Sequence, residues 1–82
     1  MINITVILYY HLKEKAGSDK ITFRVKPGIT IKEIKQLAEI KFPALRTHLE
    51  NIMMVSGRKI VMDDDIFKED REIRFLTPIG GG

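Results

Sequence analysis

Few residues in this chain could do chemistry. There is no cysteine, which excludes thiolate catalysis, disulfides and cysteine-ligated metals. His11 and His48 are the two histidines, and neither has an acid or a second histidine at metal-ligand spacing, so no metal site is expected. Asp63-Asp64-Asp65 resembles a calcium loop only in composition. The D-x-[DN]-x-[DN]-G pattern and its closing glutamate are missing, and a solvated turn is the simpler reading. Nucleophile-elbow, phosphate-loop and dinucleotide fingerprints are absent too. What remains is a main-chain group. After Thr77 the sequence runs Pro78-Ile79-Gly80-Gly81-Gly82. Glycine adopts almost any φ/ψ, so a Gly81-Gly82 end could thread a narrow channel, and it has no side chain to hinder attack on the carbon of a Gly82 carboxylate. A carboxylate is a poor acyl donor until converted to a mixed anhydride, so chemistry there calls for covalent activation. Pro78 would stiffen the exit from the preceding strand and limit the entropy lost on insertion. The competing reading is a frayed end with no role.

The elements that would position such an end follow from apolar periodicity. Residues 2–10, INITVILYY, are β-branched and aromatic, the signature of a strand. Ile2, Ile4, Val6, Leu8 and Tyr10 would share the core face, with Ile7 and Tyr9 on the other. HLKEKAGSDK reads as a turn, and residues 20–26, KITFRVK, as a half-buried antiparallel strand. Thr30-Ile31-Lys32-Glu33 has the form of a capping box, opening a helix whose stripe is Ile31, Ile34, Leu37 and Ala38. Ile40 falls off that stripe, and Pro43 ends the helix near Lys41. IMMV and KIVM flank Gly57-Arg58 as a two-residue hairpin, with Met53, Met54 and Met62 filling core or sheet-face positions. Ile66 and Phe67 would anchor the polar connection that follows. EIRFLT is the last strand, with Ile73 and Phe75 facing inward and Arg74 and Leu76 outward.

One helix must cover one face of one sheet. The longest and most apolar strands are the first and last, and they belong side by side in its middle. The expected fold is therefore α+β, a β-grasp (ubiquitin-like) arrangement with a mixed sheet of four to five strands on one main helix. Residues 1–77 would form the domain and residues 78–82 a flexible tail. At 82 residues the chain makes a single domain with a modest core and no large substrate cavity. The hydrophobic fraction of 44% and charged fraction of 30% are those of a soluble globular protein. No apolar run approaches membrane-spanning length, and the N-terminal segment lacks the basic start and cleavage site of a leader, so it is read as mature sequence. Net charge is +3, but the basic residues are interspersed with acids, as in KEIKQLAEIK, so no nucleic-acid partner is expected. Ile7, Tyr9, Arg74 and Leu76 on the face away from the helix would make either a docking patch or an ordinary surface with isolated apolar residues.

The architecture and the glycine end together resemble the MoaD/ThiS family of ubiquitin-like sulfur carriers, the MoaD branch more closely. The resemblance spans the whole chain. It is carried by YYHLKEKAG, KFPAL, VSGRKI and above all FKEDREIRFLTPIGGG, which joins a strand, a proline and a diglycine. Lys13 stands where the family often has arginine, and Gly80 where another small residue is usual. The resemblance implies that an activating enzyme of the MoeB/ThiF type uses ATP to adenylate the Gly82 carboxylate. Sulfur from a donor such as a cysteine desulfurase would then give a thiocarboxylate. A larger pterin-synthase subunit of the MoaE type would receive that sulfur to build molybdopterin. The carrier itself would have no catalytic side chain and no permanently bound cofactor. Partner-binding positions implied are Tyr9, Lys13, Lys59, Arg74, Leu76, Pro78, Ile79 and Gly80, with Gly81 and Gly82 as the reacting end. The implied location is cytoplasmic. Conjugation to protein lysines through Gly82, sulfur transfer to thiamine or another pathway, and a non-covalent interaction domain are the alternatives.

Overall fold

In the computed structural model, which describes residues 1–77, strand β1 (Ile2–Leu8) runs first, with alternate residues Ile2, Ile4, Val6 and Leu8 buried. A short helix α1 (Tyr10–Ala16) follows, then β2 (Lys20–Val25), a two-residue β3 (Ile29–Thr30) and the main helix α2 (Ile31–Lys41). Two 3-10 turns, Pro43–Leu45 and Leu49–Asn51, drop Leu45 and Leu49 into the core. The chain then forms the hairpin of β4 (Met53–Ser56) and β5 (Lys59–Val61), a two-residue β6 (Ile66–Phe67) and β7 (Arg71–Leu76).

Five strands make one sheet in the order β2-β1-β7-β4-β5, and β3 pairs with β6 in a small second one. β1 and β7 are parallel neighbours in register Val6 with Ile73 and Leu8 with Phe75; the other pairs of the large sheet are antiparallel. Ile4, Val6, Ile73 and Phe75 from the inner face are fully buried with Ile31 and Ile34 of α2 and Leu12 of α1. This is the β-grasp arrangement expected from the pattern, with the first and last strands at the centre.

Local chemistry accounts for the boundaries. At the start of α2 the Glu33 N–H donates to Thr30 Oγ1 at 3.1 Å, and the Thr30 N–H donates to Glu33 Oε1 at 3.1 Å, completing the capping box. The next free N–H groups, of Ile31 and Lys32, donate to the carbonyls of Asp65 and Asp63. The aspartate run is thus a helix-capping loop, and its Asp63 carboxylate also pairs with Lys35 at 3.0 Å. Ile40 is exposed, as its place off the stripe requires. The hairpin turns through Gly57 at φ 63, with φ positive at the first loop position only, the type II′ pattern that suits strand twist.

Three expectations are corrected. HLKEKAGSDK contains helix α1: Leu12 is its one buried anchor, and Gly17 closes it at φ 70 with its N–H on the Lys13 carbonyl. Strand β1 accordingly ends at Leu8, not at residue 10. Tyr10 is not a core residue but is 72% exposed, because its φ of 51 turns the chain out of the strand direction. Of the two expected anchors after the aspartates, Phe67 is buried but Ile66 is exposed, its short β6 strand having one face in solvent.

Tyr10 is the only non-glycine residue with positive φ among those described. The left-handed region costs an ordinary L-residue about 1–2 kcal/mol. Tyr10→Val, β-branched and intolerant of that region, should lower unfolding free energy in urea by about 1 kcal/mol or more, while Tyr10→Gly should not. Phe75→Ala should cost about 3–5 kcal/mol in the same assay, since it empties the centre of the core.

Candidate functional site

The sheet has one face under α2 and one uncovered by any helix. Register places the uncovered face residue by residue. β7 contributes Glu72, Arg74 and Leu76, the alternates of buried Ile73 and Phe75. Arg74 is flanked by Ile7 of β1 and Val55 of β4, and Val55 by Ile60 of β5. Leu76 is paired with Met53. The result is an apolar band of Ile7, Val55, Ile60, Met53 and Leu76 across four strands, with a guanidinium at its middle. Ile60 is 57% exposed, and Met62, next after β5, is 63% exposed. Towards the other end the face turns polar, through Thr5 and Thr22, whose hydroxyls share a hydrogen bond of 3.0 Å.

Tyr9 continues this face. Its backbone is extended, φ −121 and ψ 155, so alternation from Ile7 carries its side chain to the outer side. The left-handed turn at Tyr10 then brings the second ring beside the first, with centroids 6.2 Å apart and planes tilted by 42°. Both rings border an open groove shared with Lys13 on α1 and with the turn at residues 17–19. Because Leu8 pairs with Phe75, this aromatic ledge stands at the same end of the sheet as Leu76 and Thr77, where the described chain ends.

Of the residues singled out from sequence, Tyr9, Arg74 and Leu76 share the outer face, and Lys13 lies beside Tyr9. Lys59 does not join them. It pairs with Ser56 and lies two residues from buried Val61, on the same side, so it is exposed at the hairpin tip on the helix side of the sheet. An odd offset along a strand reverses the face, and Lys59 is two residues from an inward position. Pro78, Ile79, Gly80, Gly81 and Gly82, with the expected flexible tail, lie outside the described residues. Sequence reasoning missed Val55, Ile60 and Tyr10. The signal for the first two was present: IMMV and KIVM are apolar at consecutive positions, which marks strands with both faces meant for cover.

His11 is exposed on α1, and His48 is half-buried in the loop after Leu45. Among the described residues no three His, Cys, Asp or Glu side chains converge as metal ligands, and no helix is long and apolar enough to cross a membrane. Among the described residues the groove beside Tyr9 and Tyr10 is shallow and open.

Over 81 residues the chain is 24% identical to the molybdopterin synthase sulfur carrier subunit of Arabidopsis thaliana, covering 99% of this chain and 84% of the relative. The fold is similar to that of small archaeal modifier protein 1 of H. volcanii, with TM-score 0.87 at 16% identity, covering 96% of this chain and all of that one. It is also similar to a chain in the complex of subunits 1 and 2 of molybdopterin-converting factor from Helicobacter pylori, with TM-score 0.71 at 15% identity, covering 99% of this chain and all of that one. The sequence model of the ThiS family matches residues 6–82, from the middle of β1 through the final glycine, and the chain belongs to the ThiS family.

Proposed function

We propose that this protein is a sulfur carrier that acts as the small subunit of a molybdopterin synthase, with the Gly82 carboxylate as its reacting group. The observation that carries this reading is the family match running unbroken from the sheet through Gly81 and Gly82. Likeness to a plant carrier subunit over nearly the whole chain supports the pathway. The chemistry needs nothing from the domain's side chains. In the proposed sequence a carboxylate oxygen of Gly82 attacks the α-phosphate of ATP on an activating enzyme, and pyrophosphate leaves. A persulfide on a donor protein then attacks the acyl carbon and displaces AMP. A second thiol cleaves the resulting acyl disulfide, releasing the terminal thiocarboxylate as the delivered form and leaving a disulfide on the donor side. The ATP belongs to the activating enzyme and no cofactor resides on the carrier.

The domain supplies docking and aim. Ile7, Val55, Ile60 and Leu76 offer apolar area beside the end of β7, so a partner seated there receives residues 78–82 next to its own active site. Orienting a reacting group by binding remote surface is how such energy raises rate. In this reading the same face serves the activating enzyme and a larger synthase subunit in turn, from a cytoplasmic pool.

Incubation with a ThiF-type activating enzyme, ATP and a sulfur donor should raise the intact mass by the difference between sulfur and oxygen, at Gly82. Removing Gly81 and Gly82 should abolish the shift and leave urea stability unchanged. Failure of the intact chain with its cognate enzyme would sink the proposal. Recovery from cells of Gly82–lysine isopeptides, with no thiocarboxylate, would instead establish a protein modifier.

A further inference from the structure

Arg74 interrupts an otherwise apolar band. Its cross-strand neighbours on the outer face are Ile7 and Val55, with Leu76 two residues further along β7. Its side chain is exposed and makes no ion pair or hydrogen bond with any described residue; the one ion pair among them, Lys35 with Asp63, lies elsewhere. Glu72, two residues back on the same face, is not engaged with it. A free guanidinium is comfortable in water. Covering it with apolar surface would leave a desolvated charge without compensation, which is among the costliest events in association. Any protein that buries Ile7, Val55 and Leu76 must therefore bring a counter-charge to Arg74 or be rejected. The surroundings point the same way: Lys20 lies in register with Ile7 and Arg24 with Asn3, and with Arg74 they outnumber the acids Glu72 and Asp70, the latter accepting from the Asn3 N–H, so the face is net positive. A second copy of this chain docked about a central two-fold would set Arg74 against Arg74.

We propose that Arg74 determines the specificity of the docking face. It selects a partner protein that presents an Asp or Glu carboxylate ringed by apolar side chains, and it rejects both wholly apolar surfaces and self-association. The planar fork of arginine matches a carboxylate in two parallel hydrogen bonds, which adds register to attraction and fixes how the partner sits over the end of β7. The identity of that partner as the larger synthase subunit rests on the carrier function proposed above.

The test is calorimetric titration of the full chain with the purified larger synthase subunit of the same organism, using wild type, Arg74→Met, Arg74→Lys and Arg74→Glu. Exposure of Arg74 means that each variant should fold, which amide NMR spectra check. Arg74→Met should weaken the complex by about 30-fold or more, Arg74→Glu further, and Arg74→Lys to an intermediate degree because it keeps charge but loses the fork. An Arg placed at one partner Asp or Glu should restore binding of Arg74→Glu. Equal affinity of wild type and Arg74→Met overturns the inference while leaving the carrier function intact, provided the wild-type chain still accepts sulfur by mass. A wild-type homodimer through this face, seen by sedimentation, also overturns it. Absence of both complex and sulfur loading overturns it together with the carrier function.

Discussion

The parallel pairing of β1 with β7 is the constraint on which the rest depends. Two parallel strands cannot be joined by a tight turn, so everything between Leu8 and Arg71 must serve as a crossover. That requirement explains why α2 lies where it does, and why the β4–β5 hairpin adds on the far side of β7 and the β2 strand on the far side of β1. It also decides which side chains are buried deepest. Val6, Ile73 and Phe75 on the two central strands have no exposed surface, whereas Ile21 and Phe23 on the edge strand β2 are half-exposed. Small devices close the crossover, among them the Thr30–Glu33 box and the carbonyls of Asp63 and Asp65 on the first turn of α2. The Asn3 N–H on the Asp70 carboxylate, at 2.8 Å, ties the start of one central strand to the approach of the other.

With one face spent on the core, the other is left open, and in the carrier function proposed above it is the face a partner covers. The outer side chains of β1, β7, β4 and β5 carry an apolar band interrupted by one charge. Burial of apolar area supplies affinity with little geometric preference, while a single charge in that area penalises every wrong neighbour. The aromatic pair Tyr9–Tyr10 adds a rigid, amphipathic edge at the end where the chain leaves the sheet. Tyr10 holds a left-handed conformation to stand there, a strain that its neighbours in α1 and β1 must sustain.

Most of the fold was legible because its period-2 and period-3.6 patterns are clean. Ile4, Val6, Ile73 and Phe75 alternate with polar or outward residues, and Ile31, Ile34 and Ala38 recur at helical spacing behind an explicit cap. Helix α1 was not legible, because seven residues with Leu12 as their one buried member give no periodicity to read, and Tyr9 and Tyr10 at its start look like strand. The β3–β6 pair escaped for a similar reason: two-residue strands are defined by where the chain is brought, not by their own pattern. At the site, Arg74 and Leu76 followed from alternation in a strand whose inward residues were unmistakable. Lys59 went astray because closeness along an aligned sequence does not say which face a residue occupies. Tyr9 was placed on the correct face although it lies just past the strand, since its backbone stays extended.

The position of β7 has a consequence for how the molecule is made. Among the described strands it is the last in the order of synthesis and the middle one of the sheet, so its ladder contacts with β1 join residues more than sixty apart, such as Leu8 and Phe75. Long-range closure of this kind is slow, and until it happens β1 and β4 face a gap with their central hydrogen-bonding edges open. The outer surface with Arg74 and Leu76 exists only once that gap is filled. A half-made or locally opened molecule therefore lacks this surface, and under the carrier function proposed above completion of the core decides which chains can meet a partner.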